Sequence, residues 1–153
     1  PVTESFAEGN VTNTSPWGGN GGLIGILGGT SVVQDCYARG TVSGTLSTAA
    51  LVGIGSSSPP GATLINCYAT GLVTSGEPGG LIAYFDTNFG PTVTNCFWDV
   101  DATGVGFTFE NAGTGLGTAA LQTAATYTNA GWDFDTTWTI VSGYPVLRWL
   151  QNE

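Results

Sequence analysis

Between residues 99 and 110 the chain reads DVDATGVGFTFE, a run of oxygen donors that could hold a hard cation. Asp99 and Asp101 take the first and third places of a calcium loop, and Thr103 takes the fifth. Gly104 stands at the sharp turn, Val105 offers its backbone carbonyl at the next place, and Glu110 fills the last, where a bidentate carboxylate belongs. Thr103 is a weaker ligand than the usual Asp or Asn, and no amphipathic helices flank the run, so a solvated turn is the competing reading. A second chemistry needs paired carboxyls. Asp99 and Asp101, and again Asp133 and Asp135, are spaced so that on a strand both point to one side. Glycoside hydrolysis uses two such groups across a cleft, but the polysaccharide-cleaving enzymes built on β-helices also draw on basic residues, and this chain has only Arg39 and Arg148. It has no His, which removes the Ser-His-Asp triad, the Cys-His pair and His-ligated zinc. Gly18–Gly22 contains four glycines but lacks the Lys of a phosphate loop. The expectation is a protein that is not an enzyme, with no cofactor beyond the candidate calcium.

Charge narrows the partners. The net charge is −9, and charged residues are only 8% of the chain. Phosphate neutralisation needs Lys and Arg, so nucleic acid and anionic membrane surfaces are excluded as partners. No apolar run reaches the ~20 residues of a membrane helix. The chain starts at Pro1 without an initiator Met or signal peptide, which reads as a mature product or an excised fragment. A Lys-free chain rich in Thr, Gly and Asn suggests an extracellular or cell-surface protein, and Asn10-Val11-Thr12 and Asn13-Thr14-Ser15 match glycosylation acceptors.

Positioning these residues is the task of a repeat. Ser5-Phe6-Ala7-Glu8-Gly9, Cys36-Tyr37-Ala38-Arg39-Gly40 and Cys67-Tyr68-Ala69-Thr70-Gly71 align, and a decayed copy begins at Cys96-Phe97-Trp98, at steps of 31, 31 and 29 residues. A second phrase recurs at Gly22-Leu23-Ile24, Ala50-Leu51-Val52 and Gly80-Leu81-Ile82. Each repeat holds short β-branched and aromatic runs between turn formers, the pattern of strands rather than helices. A unit this small cannot bury its own apolar face, so neighbours must stack. The pattern predicts an all-β fold, a short parallel β-solenoid of about four coils, right-handed by analogy with parallel crossovers. Recurring positions become ladders: Cys36, Cys67 and Cys96 as buried thiols, with an inter-coil disulfide and metal binding as the alternatives; Leu23, Leu51 and Leu81; Ile24, Val52 and Ile82; and Asp35, Asn66 and Asn95, whose side chains can bond their own turn and their stacked neighbours. Gly9, Gly40 and Gly71 mark corners where φ is positive or a side chain will not fit. Tyr37, Tyr68 and Phe97 alternate with the thiols and could form an outer strip for a glycan or a partner, be covered by the closing segment, or serve only as cross-strand stacking.

The phrases G-L-I-G and N-C-Y-A-T-G-x-V resemble the GLUG-motif repeat of bacterial surface and secreted proteins. Cys96-Phe97-Trp98-Asp99, Gly131-Trp132-Asp133-Phe134 and Tyr144-Pro145-Val146-Leu147-Arg148-Trp149 resemble the tail that closes such arrays. The resemblance covers roughly residues 5–150 and implies a structural or adhesin-like role without catalytic residues. The first copy departs from it, with Ser5 for Cys. On this reading residues 1–104 are the solenoid repeats and residues 105–153 a C-terminal cap, within one structural domain. The cap is expected to contain one helix over 118–125, N-capped by Thr118, with Leu121 and Ala125 inward, then strands at Trp138–Val141 and Val146–Leu150. The aromatic residues after residue 95, including Trp98, Trp132, Trp138 and Trp149, would cover the C-terminal end of the stack, as repeat arrays require. The other end shows no cap, so the expected partner is a second copy docking head to tail into a filament, or upstream repeats of a larger protein. Three functions follow: a non-catalytic extracellular structural or adhesin-like module, a carbohydrate-binding module, and, least favoured, a polysaccharide-degrading enzyme.

Overall fold

A computed structural model describes residues 1–55, 61–85, 88 and 90–151. Through the repeats the chain runs in strands of two to four residues, and each strand pairs in parallel with its counterpart in the next repeat. Val2–Thr3, Val32–Gln34, Thr63–Ile65 and Thr92–Thr94 form one sheet, with Val2 opposite Val33, Val33 opposite Leu64 and Leu64 opposite Val93. Phe6–Ala7, Tyr37–Ala38, Tyr68–Ala69 and Phe97–Asp99 form the next. Three further sheets carry the columns Val11–Val42–Val73, Asn20–Thr48–Pro78 and Ile24–Val52–Ile82. The chain therefore passes through five sheets in each of its full repeats and returns one layer further on.

The strands are short because each is bounded by a residue that turns the backbone. Asp35, Asn66 and Asn95, just ahead of the thiols, have φ of 52°, 50° and 51°, and Glu4 takes the same left-handed conformation in the first repeat. Asx side chains tolerate this region better than most. The following residue then points inward and bonds the carbonyl two positions back: Cys36 Sγ to Gln34 O at 3.1 Å, Cys67 Sγ to Ile65 O at 3.1 Å and Cys96 Sγ to Thr94 O at 3.2 Å. Ser5 Oγ donates to Thr3 O in the same way. All three thiols are buried and free. Burial pushes the Cys67 thiol well above the usual range, and its hydrogen bond with Cys67 pulls Cys36 down.

Alternation along Tyr37–Ala38 and Tyr68–Ala69 divides the interior in two. Ala38, Ala69, the thiols, Val33, Leu64, Leu51, Leu81, Val52 and Ile82 fill the space enclosed by the repeats, with Leu23 and Ile24 partly buried against them. Tyr37, Tyr68 and Phe97 point the other way and join a second cluster with Leu121, Tyr127, Trp132, Trp138 and Leu147.

Several expectations for residues 100–151 are corrected. Val100–Thr103 is a helical turn. Instead of one helix there are two, Thr118–Leu121 and Ala124–Thr128. The first is preceded by Gly117 as its cap, since the Thr118 hydroxyl donates to Asp99 and is not free to cap. Leu121 is buried, but Ala125 is exposed and Tyr127 takes the inward place. Trp138–Thr139 and Val146–Leu147 form an antiparallel pair, and Arg148–Gln151 is a 3-10 turn rather than strand. Two different segments do the covering. Thr114–Leu116 adds a fifth strand to one sheet, beyond Phe97–Asp99. The rest lies along the side of the stack, with Trp132 against Phe97, Trp138 against Tyr37 and Tyr68, and Trp149 reaching back to Phe6.

The corner glycines are required by close approach rather than by φ. A Cβ on Gly71 would lie 1.9 Å from Gly40 O, and one on Gly40 would lie 2.0 Å from Gly9 O, while one on Gly9 would meet nothing within 4 Å. The obstacle is backbone held by the sheet ladder, so it cannot move aside cheaply. Gly71→Ala and Gly40→Ala should each lower stability by about 2–3 kcal/mol, whereas Gly9→Ala should melt within a degree or two of the native chain; thermal unfolding of the three variants checks this.

Candidate functional site

The polar side chains singled out by their chemistry are used to hold the C-terminal segment against the repeats. Asp99 follows Trp98 on its strand and is fully buried. Its Oδ1 accepts from the backbone N–H groups of Asp101 and Ala102, both at 2.9 Å, and so caps the Val100–Thr103 turn. Its Oδ2 accepts from the hydroxyls of Thr118, at 2.8 Å, and Tyr144, at 2.6 Å. The Thr103 hydroxyl donates to Asp99 O and accepts from Val105 N–H. The Val105 carbonyl accepts from the Trp98 indole at 2.8 Å. Asp101 Oδ2 accepts from Thr118 N–H, and Glu110 sits exposed in the Phe109–Asn111 turn with a positive φ of 49°.

These residues do not fit a calcium cage. The helical turn at Val100–Thr103 replaces the open loop that the spacing suggested, and Asp99, Asp101 and Glu110 do not converge. Among the described residues no three acidic or thiol side chains are grouped as metal ligands would be. The physical reason is local: an Asx residue ahead of a short apolar run caps a helical turn as readily as it begins a cation loop, and burial under Tyr144 and Thr118 favours the cap.

The aromatic column is likewise not an open strip. Tyr37 and Tyr68 are 1% and 0% exposed, and Phe97 is nearly buried. Phe6, Tyr37 and Tyr68 stack with ring centroids 5.2 Å apart at each step. The reading of Tyr37, Tyr68 and Phe97 as an exposed glycan strip is therefore corrected, since the closing segment covers them. Polar ends of that segment meet complementary groups. The Trp138 indole donates to Asp35 Oδ1 at 3.1 Å, and the Trp132 indole donates to Asn95 O at 2.9 Å. Asp35 also accepts from Gln34 and Asn66, so the Asx ladder ties two repeats together and receives the cap. The Pro145 carbonyl accepts from the Tyr68 hydroxyl at 2.6 Å and from Arg39 Nη2 at 2.8 Å. The Arg39 guanidinium lies over the Tyr37 ring, 4.6 Å from its centroid, and pairs with Glu8 at 3.5 Å. Arg148, the other cation, donates to the Phe134 carbonyl. Both arginines thus hold the chain's own backbone.

Sequence reasoning missed a different surface. Tyr84 and Phe107 are exposed, and with Phe109, Glu77 and Pro78 they line an open groove at the last repeat. Neither ring belongs to a recurring phrase: the residues matching Tyr84 in the two preceding repeats are Ile54 and Ile26.

No family model matches the chain, and no solved structure matches it. One curated protein is similar, a "Putative Gly-rich membrane protein" of Evansella cellulosilytica, 36% identical over 147 residues that make up 94% of this chain. The chain spans 13% of the length of that relative. Among the described residues no helix is long and apolar enough to cross a membrane.

Two measurements follow from this geometry. Asp99→Ala leaves two backbone donors and two hydroxyls without their acceptor, and should cost about 3 kcal/mol, lowering the melting temperature by on the order of 10 °C. Alkaline titration should unfold the chain. Burial pushes the phenols of Tyr68 and Tyr127 well up, and burial together with the bond to Asp99 puts Tyr144 at about 12. The fold favours the neutral phenol, so this stabilisation is complete below about pH 10 and is lost as pH rises through 12. Phenolate absorbance and loss of tertiary signal should rise together in that window.

Proposed function

We propose that this chain is a non-catalytic structural module, a short parallel β-solenoid of four coils displayed outside the cell or at its surface within a longer adhesin-like protein. The observation that carries the reading is the in-register parallel pairing of each repeat with the next, which makes a scaffold that extends by adding layers. The use of Asp99, Asp35 and both arginines to hold the fold together supports a structural role for the groups that had looked chemical. The low charge, the Thr- and Gly-rich composition and the resemblance to GLUG-motif repeats support a surface location.

The edge formed by the first repeat supports growth in that direction. Val2–Thr3, Phe6–Ala7, Val11–Thr12, Asn20–Gly21 and Ile24–Leu27 are each the outermost strand of their sheet. An apolar groove of about 290 Å³ opens there between Val2, Ile24, Leu27 and Val33. An upstream coil of the same kind would pair with all five strands, and the similar protein, of which this chain spans 13%, is long enough to hold further coils. A second copy seated on the same edge would instead propagate a filament.

The test is to join a copy of residues 32–62 directly ahead of Pro1, which keeps the repeat in phase. A stacked extra coil raises the melting temperature, and it makes Gly9→Ala, harmless in the native chain, as damaging as Gly40→Ala. An unchanged melting temperature, with Gly9→Ala still harmless, would overturn the solenoid reading. Antibody against the chain should label intact cells that make the protein; labelling only after permeabilisation would overturn the surface assignment. Sedimentation across a concentration series then separates a module, compact throughout, from a filament.

A further inference from the structure

The groove beside Tyr84 and Phe107 is a surface that the structural role leaves unused. Tyr84 is 50% exposed and Phe107 is 60% exposed. Two large exposed rings on the lining of one concavity of about 530 Å³ mark a place where something binds. That volume lies within the range of about 300–1,000 Å³ typical of small-ligand sites.

The platform is held rigidly. Tyr84 lies on the strand Ile82–Phe85, which pairs with Val52–Gly55 of the preceding repeat. Phe109, also on the groove, packs against it, its ring 5.1 Å from Tyr84 and 5.0 Å from Phe85. On the other side the Phe107 carbonyl accepts from Gly80 N–H at 2.8 Å. The neighbouring Thr108 hydroxyl is buried, donating to Ile82 O and accepting from Ile82 N–H, both at 3.1 Å. Phe107 is therefore fastened to the last repeat by its own carbonyl and by the residue that follows it. Rings that are already in place lose little freedom on binding.

The polar lining selects the ligand. Among the described residues Glu77 is the only charged side chain on the groove, while Arg39 is engaged by Pro145 and Arg148 by Phe134. An anion would meet the carboxylate and a chain of net charge −9. What fits two flat apolar rings and one hydrogen-bond acceptor is a neutral molecule with an apolar face and hydroxyl donors at its edge. A pyranose ring has this form: its C–H face lies on an aromatic ring while an equatorial hydroxyl donates to a carboxylate oxygen. We propose that this groove binds a neutral polysaccharide, with sugar rings stacked on Phe107 and Tyr84 and a hydroxyl bonded to Glu77. The site goes beyond the structural role and does not depend on what stacks on the first repeat.

Calorimetry with neutral hexasaccharides of β-1,4-linked glucose, xylose, mannose and N-acetylglucosamine tests it on the full chain. At least one should bind. Phe107→Ala and Tyr84→Ala should each weaken that binding by about tenfold or more, as expected for truncated aromatic anchors, and Glu77→Gln by a smaller factor. Melting curves of the variants should match the native chain, since both rings are on the surface. Trp17→Ala, which removes an exposed ring elsewhere, should leave affinity unchanged. Absence of binding to all four sugars would overturn the proposal, as would affinity that survives both ring truncations. Self-association of the native chain that Phe107→Ala abolishes, without any sugar binding, would show instead that this face joins copies of the chain.

Discussion

Everything in this molecule depends on each repeat pairing its backbone with the next in a constant parallel register. One repeat alone has strands of two to four residues, too short to be stable, and no apolar face it can cover. Stacking resolves both problems at once, because each strand gains hydrogen-bonding neighbours and each inward side chain gains a like residue above and below. The same constraint explains the glycines at the corners. Where Gly40 and Gly71 pass over the preceding layer, the backbones approach so closely that no Cβ fits.

Register also creates a difficulty that the closing segment resolves. Alternation that sends Ala38 and Ala69 inward necessarily sends Tyr37 and Tyr68 outward, stacking a column of rings on the surface. A column of this kind is stable against its own members but leaves a large apolar face in water. Residues 118–151 cover it with Tyr127, Trp132 and Trp138, and they are oriented by polar contacts at several heights of the stack. Asp35 receives Trp138, the Asn95 carbonyl receives Trp132, Asp99 receives Tyr144 and Thr118, and Arg39 with Tyr68 receives Pro145. A segment with little regular structure of its own is thus located by hydrogen bonds to different repeats, and it clamps those repeats together in turn.

The proposed functions divide between two kinds of surface. Where the sheets end, unpaired strand edges invite another layer of the same construction. Where the repeat pattern lapses, at Tyr84 and in the segment around Phe107, aromatic rings remain exposed on a rigid backbone and offer a site for a ligand of different chemistry. A scaffold that extends by stacking and carries binding grooves on its side suits a surface-displayed module, which is the role proposed for it.

The amino-acid sequence by itself determined which residues oppose one another: the phrases beginning at Ser5, Cys36, Cys67 and Cys96 predict the pairing of Phe6, Tyr37, Tyr68 and Phe97, because identical spacing and parallel ladders are the same information. It also made the close approach at Gly40 and Gly71 legible, whereas the positive φ expected of those glycines falls instead on Asp35, Asn66 and Asn95. Tertiary structure alone decided what the Tyr column faces and what Asp99 does. The segment that covers the column has no period, and its contacts join residues as far apart as Asp35 and Trp138, so no spacing announces them. Asp99 illustrates the physical reason. Its carboxyl could begin a cation loop or cap a helical turn on local grounds alone, and the choice fell to the cap when two hydroxyls from distant parts of the chain, Thr118 and Tyr144, closed over its second oxygen.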